Sequence, residues 1–114
     1  MEMINRIELQ GTIGRVEVKQ VNDAEVANIS VVTNYVYQSQ NGMPTVESTW
    51  HNVVAWRTAS NRQMVVDFSR LVKGGAIHVL GRIRNKKYTK DGKEMSYTEI
   101  LASEVSVPVP DDLP

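Results

Sequence analysis

The sequence contains no cysteine, one phenylalanine and two histidines among its 114 residues. Without cysteine there is no disulfide framework, thiolate metal cluster or cysteine nucleophile. The histidines, His51 and His78, are too few for a histidine-rich metal site. No apolar run approaches the roughly 20 residues of a transmembrane helix, and the N-terminus lacks the apolar stretch of a signal peptide. We therefore expect one small cytoplasmic domain with no cofactor and no membrane partner.

Net charge is also absent, since 13 basic residues balance 13 acidic ones. The two signs are nevertheless separated along the chain. Seven basic residues and one acid lie between residues 73 and 93, whereas the last 21 residues hold five acids and no base. A concentrated basic stretch of this kind is typical of a surface that binds nucleic acid.

Alternation of apolar and polar residues predicts β-strands through most of the chain. Asn41-Gly42 marks a hairpin loop over residues 38–44, and Asp91-Gly92 marks a tight turn. Gly11, inside the first strand, indicates a bulge or bend. The five predicted strands cover residues 7–13, 25–37, 45–56, 76–88 and 94–107.

One segment has a helical period instead. Met64, Val65, Phe68, Leu71 and Val72 are spaced as one face of a helix, and Gly74-Gly75 supplies a stop signal. We expect a helix over residues 61–72.

The fold class is then all-β with one helix, a five-stranded OB-fold Greek-key barrel with the helix between strands 3 and 4. An SH3-like barrel is the alternative. The OB-fold domain spans residues 1–107, and residues 108–114 form a short acidic flexible end.

The alternation in strand 4 assigns its basic residues to one face. Residues 77, 79, 81 and 83 point inward, which leaves Arg82, Arg84, Lys86 and Tyr88 outward, with Lys87 at the edge. Cations that follow phosphates beside a ring that stacks on a base suit a single nucleic-acid strand. The competing interpretation is a solvated face whose long side chains cover apolar surface.

Both tryptophans fall on one face of strand 3. Trp50 and Trp56 share this face, while His51 points to the other. Exposed rings would form a stacking platform that Tyr35 and Tyr37 extend, whereas buried rings would belong to the core. No nucleophile elbow and no phosphate-binding glycine loop is present, so we expect no enzymatic activity.

Several blocks of sequence resemble bacterial single-stranded DNA-binding proteins, in the family's order and over residues 5 to about 107. The blocks are Asn-Arg-Ile-Glu-Leu-Gln-Gly-Thr-Ile-Gly at 5–14, Val-Ala-Asn-Ile-Ser-Val at 26–31, Trp-His-Asn-Val-Val-Ala-Trp at 50–56, Leu-Val-Lys-Gly at 71–74, and Gly-Arg-Ile-Arg-Asn-Lys-Lys-Tyr at 81–88 with Asp91-Gly92.

The resemblance implies an OB-fold that assembles as a homotetramer, with a dimer as the alternative. It implies stacking residues at Trp50, Trp56, Tyr88 and Tyr37, and places His51 at a subunit interface. It also implies basic contacts, which would fall on Lys73, Arg84, Lys86 and Lys87. Family members often carry tryptophan at the positions of Tyr37 and Tyr88 and phenylalanine at that of Trp56.

The last four residues, Asp111, Asp112, Leu113 and Pro114, are similar to the family's partner-binding tip without its terminal phenylalanine. Two expectations therefore stand side by side: the tip recruits replication and repair proteins, or the chain has lost this role together with the phenylalanine.

The function expected from these features is sequence-tolerant binding and protection of single-stranded DNA during replication, recombination or repair. A dimer like primosomal replication protein N, or an OB-fold protein–protein adaptor, is the alternative. The sequence does not distinguish DNA from RNA, because stacking and phosphate contacts serve both.

Overall fold

A computed structural model describes residues 1–108, in which five strands close into one barrel. Around the barrel the order is β1, β2, β3, β5, β4, which confirms the predicted all-β, five-stranded fold. The strands are β1 (Ile7–Val21), β2 (Ala24–Gln38), β3 (Pro44–Arg57), β4 (Ala76–Lys90) and β5 (Lys93–Ser106).

Strand β1 is long enough to pair with two neighbouring strands. Its first half, residues 7–12, pairs antiparallel with β4, and residues 12–21 pair antiparallel with β2. The register shifts between Ile13 and Arg15, so the irregularity that Gly11 led us to expect lies at Gly14. A short parallel pairing of β3 with β5, from Val53–Ile100 to Ala55–Ala102, closes the barrel.

The barrel interior is filled by aliphatic side chains that alternate along the strands. In β4, Ile77 and Val79 are fully buried, as their alternation predicts, whereas Ile83 is exposed because the pairing of β4 with β1 ends at Gly81. The buried cluster consists of Leu9, Ile13, Ala27, Ile29, Val31, Val53, Ala55, Val65, Phe68, Leu71, Ile77, Val79, Ile100 and Val105.

The predicted helix over residues 61–72 is wrong. Within this segment the structure has turns, an isolated bridge between Val65 and Val105, and one 3₁₀ turn at Phe68–Arg70. The backbone N–H groups of Val66 and Val105 donate to partners in the opposite segment, at 3.0 and 2.9 Å. These bonds stabilise an extended backbone at residues where a helix would need i to i−4 bonds.

Two long ribbons extend from the barrel. The β2–β3 ribbon ends in the loop at residues 39–43, as Asn41-Gly42 predicts. The β4–β5 ribbon turns through Asp91 and Gly92, which both have positive φ, as in a two-residue type I′ turn. In the described part of the chain, no helix is long and apolar enough to cross a membrane.

Candidate nucleic-acid interface

The strand pairings show which side chains share the outside of the barrel. Val53 and Ile100 pair and are both buried, so their neighbours along β3 and β5 point outward. We call the outward side of β2, β3, β5 and β4 the outer face. It carries both tryptophans: Trp50 is 62% exposed and Trp56 38% exposed. Neither tryptophan belongs to the buried core cluster.

The ring of Trp50 lies across the sheet. Trp50 pairs with Val32 of β2, and Val32 pairs with Thr12 of β1. The indole reaches Gly14, where an added Cβ atom would overlap the six-membered ring. The absence of a side chain at Gly14 therefore lets the ring lie against the backbone of β1 with most of its surface open to solvent.

The β4 residues predicted to point outward do so, and the pairing with β5 gives two of them a partner. Arg84 lies opposite Glu99, whose side chain is buried. Arg84 Nε donates to Glu99 Oε1 at 2.7 Å, and Lys86 Nζ lies 3.8 Å from the same oxygen. Arg84 and Lys86 are thus already in contact with an acid, whereas Arg82 is exposed and forms no ion pair within residues 1–108.

A tyrosine that the sequence reasoning did not select lies beside Tyr88. Tyr97 of β5 pairs with Lys86, so it shares the outer face with Tyr88, and the two ring centroids are 5.7 Å apart. The rings are tilted by 59° and both are partly exposed. The alternation around Ile100 is a signal that places Tyr97 outward, but the predicted strand 5, residues 94–107, contains no basic residue that would indicate a nucleic-acid contact there.

The structure separates Tyr37 from the tryptophans. Tyr37 pairs with Thr45, and Tyr35 pairs with Glu47, which puts both tyrosines on the side of the β2–β3 ribbon opposite to Trp50. Their rings stack with centroids 6.2 Å apart. An aromatic platform made of Trp50, Trp56 and Tyr37 together is therefore not continuous on one face.

The other two predicted cations lie at separate positions. Lys73 is exposed and precedes Gly74, whose N–H donates to the Ile13 carbonyl at 2.8 Å, so Lys73 lies close to the part of β1 that Trp50 covers. Lys87 is exposed on the β4–β5 ribbon, and its Nζ lies 3.4 Å from Glu94. Ion pairs this exposed contribute little to stability and exchange readily.

His51 points to the side opposite the tryptophans, as predicted. Its Nε2 lies 2.9 Å from Oγ1 of Thr33, and the ring is half-buried. Burial lowers the pKa of His51 below its ordinary value. A role for His51 at a subunit interface stays a prediction. The predicted tip residues Asp111, Asp112, Leu113 and Pro114 lie outside the described residues.

Comparison with known proteins agrees with this architecture. The family model described as "Single-strand binding protein family" matches residues 4–108. A "Single-stranded DNA-binding protein" of Neisseria meningitidis serogroup A is 33% identical over 107 residues, which cover 91% of this chain and 59% of that protein. A "Single-stranded DNA-binding protein 2" of Streptococcus agalactiae serotype III is 36% identical over 86 residues, covering 75% of this chain and 61% of that protein.

The chain therefore spans about three fifths of the length of these curated relatives. Among solved structures, the fold is similar to that of "Plasmodium falciparum SSB complex with ssDNA", with a TM-score of 0.76, 24% identity and coverage of 97% of this chain and 98% of that one. A deletion mutant of the Thermus aquaticus single-stranded DNA-binding protein gives a TM-score of 0.72 at 18% identity, covering 95% of this chain and 52% of that one. From the family match and the identity to the curated relatives, this chain belongs to the single-strand binding protein family.

Proposed function

We propose that this chain binds single-stranded DNA with little sequence preference and protects it during replication, recombination or repair. It acts by binding alone, without a chemical step, in the cytoplasm. The family membership supports this function, and the relatives named above carry single-stranded DNA binding in their names.

The observation that carries the proposal is the exposure of aromatic rings beside cations on the outer face. Trp50, Trp56 and Tyr88 are all partly open to solvent, and Arg82 lies on the same face. An aromatic ring stacks on any base, because every base has a flat face, and each stacked base contributes about 1–3 kcal/mol. The cations bind phosphates and release counterions from the strand.

The ion pairs rank the cations as phosphate ligands. Lys73 and Arg82 form no ion pair within residues 1–108, so a phosphate displaces no protein partner there. Lys87 must exchange the exposed Glu94, which costs little. Arg84 and Lys86 share the buried Glu99 and contact a phosphate only with the donors that Glu99 leaves free. Tyr37 would contact a strand that passes to the other side of the β2–β3 ribbon.

We propose a homotetramer as the assembled form, with His51 on the surface between subunits. Recruitment of partner proteins through Asp111 to Pro114 is part of the same proposal. Preference for DNA over RNA depends on contacts to the sugar.

Tryptophan fluorescence during titration with oligo-dT tests the function. The chain has two tryptophans, both on the outer face, so a base stacked on either ring quenches the emission. We expect saturable quenching that weakens with salt, with a slope of about 0.7 in log affinity per phosphate neutralised. Double-stranded DNA of the same length as the oligo-dT is the control and should quench the tryptophan fluorescence less. Absence of both quenching and a mobility shift would favour the adaptor alternative.

A further inference from the structure

A pocket of about 260 Å³ opens on the outer side of the barrel between β1, β2, β3 and β5. Most of the side chains that line it are polar or charged. The residues that matter here are Arg15, Asn28, Ser30, Asn52, Tyr97 and Glu99.

Glu99 gives the pocket an acceptor that the protein does not use. The residue is only 5% exposed, and both of its cationic neighbours, Arg84 and Lys86, contact Oε1. No side-chain hydrogen bond within residues 1–108 involves Oε2, yet no fully buried side-chain atom of the described residues lacks a partner. The Oε2 atom is therefore not fully buried, and because Glu99 lines the pocket, its free lone pairs can accept a hydrogen bond from a donor there.

We propose that this pocket receives one base of the bound strand and that Glu99 Oε2 accepts a hydrogen bond from the exocyclic amino group of that base. The inference rests on the proposed function, since it adds a preferred base to a strand that is otherwise bound through stacking and phosphates. The pocket volume exceeds that of a pyrimidine ring, and Tyr97 is one of the residues that line it.

The charge around the pocket favours a neutral donor over a cation. Both acids that line the pocket are already paired with cations: Glu99 with Arg84 and Lys86, and Glu17 with Arg15, which also lines the pocket. A lysine side chain or a metal ion entering here would meet these positive groups. An amino group on a base carries the required N–H without a charge.

The chemistry distinguishes cytosine from uracil. Cytosine presents its N4 amino group as a donor, and a glutamate is a suitable acceptor for it. Uracil has a carbonyl oxygen at the same position, which repels a carboxylate oxygen, and its one ring N–H lies between two carbonyls. The two bases are otherwise nearly identical in shape, so stacking on Tyr97 does not separate them.

The test measures the affinities of oligo-dC and oligo-dU of equal length for the full chain, in the wild type and in Glu99→Gln. Glutamine keeps the shape of the side chain but presents both a donor and an acceptor. We expect the dC-to-dU affinity ratio to fall by about 5-fold or more in Glu99→Gln, since a hydrogen bond to a charged group contributes more than a neutral one. Comparing ratios cancels any general preference of the other contacts.

Glu94→Gln is the matched control. It also removes one negative charge from β5, but Glu94 is exposed and contacts Lys87 on the ribbon. Its dC-to-dU ratio should equal that of the wild type. Ser30→Leu is a second variant that leaves Glu99 intact and fills the pocket from β2. It should lower the dC-to-dU ratio as Glu99→Gln does. If Glu99→Gln does not fold, the ratio measured for Ser30→Leu tests the proposal alone.

The outcomes separate the two proposals. If the oligonucleotides bind and the ratio is the same in the wild type, Glu99→Gln and Ser30→Leu, the pocket does not read a base and the inference is overturned while strand binding stands. If neither oligonucleotide binds the wild type, both the proposed function and the inference fail.

Discussion

Trp50 combines high exposure with a fixed position. Its ring lies against the backbone at Gly14 and is still 62% exposed, so it offers a flat surface to a base without having to be ordered first. We expect Trp50→Ala to weaken binding of oligo-dT by about 5- to 150-fold, which corresponds to the 1–3 kcal/mol of one stacked base. Fluorescence anisotropy of a labelled oligonucleotide measures this directly.

The same variant should remain folded, because little of the Trp50 side chain is removed from water in the native state. Met64→Ala is the control: it also truncates an exposed apolar residue, but in the segment between β3 and β4. It should bind as the wild type does. Equal affinity of Trp50→Ala and wild type, with both folded by circular dichroism, would remove Trp50 from the interface.

At the residue scale, alternation alone gave the direction of most candidate side chains. It assigned Trp50, Trp56 and Arg82 to the outside, where the structure has them. It could not identify the Glu99 pair with Arg84, because the contact depends on the register between β4 and β5. Alternation within one strand carries no information about which residue of the next strand lies opposite.

At the scale of elements, the segment between β3 and β4 shows why a helical period is not sufficient. Val65, Phe68 and Leu71 are buried as the period predicts, but Met64 and Val72 on the same predicted stripe are exposed. Three buried side chains at this spacing are equally compatible with an irregular segment that packs against the barrel. The bridge between Val65 and Val105 is a contact of distant residues that local sequence does not encode.

This segment gives a clear stability prediction. Phe68→Ala should lower the free energy of unfolding by about 3–5 kcal/mol, because it leaves a cavity beneath the 3₁₀ turn. Met64→Ala should change the free energy of unfolding by no more than about 0.5 kcal/mol, whereas a helix packed through its full stripe would make both substitutions costly. Urea denaturation at one fixed protein concentration compares them, and similar large losses in both variants would contradict the structure.

At the scale of the whole molecule, the chain is more extended than its length requires. Its radius of gyration is 16.6 Å, against about 13 Å for a compact domain of this size. The two ribbons that extend from the barrel contribute to this difference. Beyond Ile13, one edge of β1 has no strand partner within residues 1–108, and Val18 beside it is exposed. An unpaired strand edge with exposed apolar side chains is a surface on which another copy can pair.

The assembly is therefore expected to depend on β1. Sedimentation equilibrium should give a mass of about 51 kDa, four times the 12.8 kDa of the chain, if the tetramer forms. Val18→Lys places a charge beside the free edge without touching the buried core and should yield a smaller species. Val72→Lys, a charge on an exposed apolar residue of the segment between β3 and β4, should leave the mass unchanged. A wild-type mass near two chains would favour the dimer, and a monomer would mean that the β1 edge stays open in solution and that the outer face of each chain binds a strand alone.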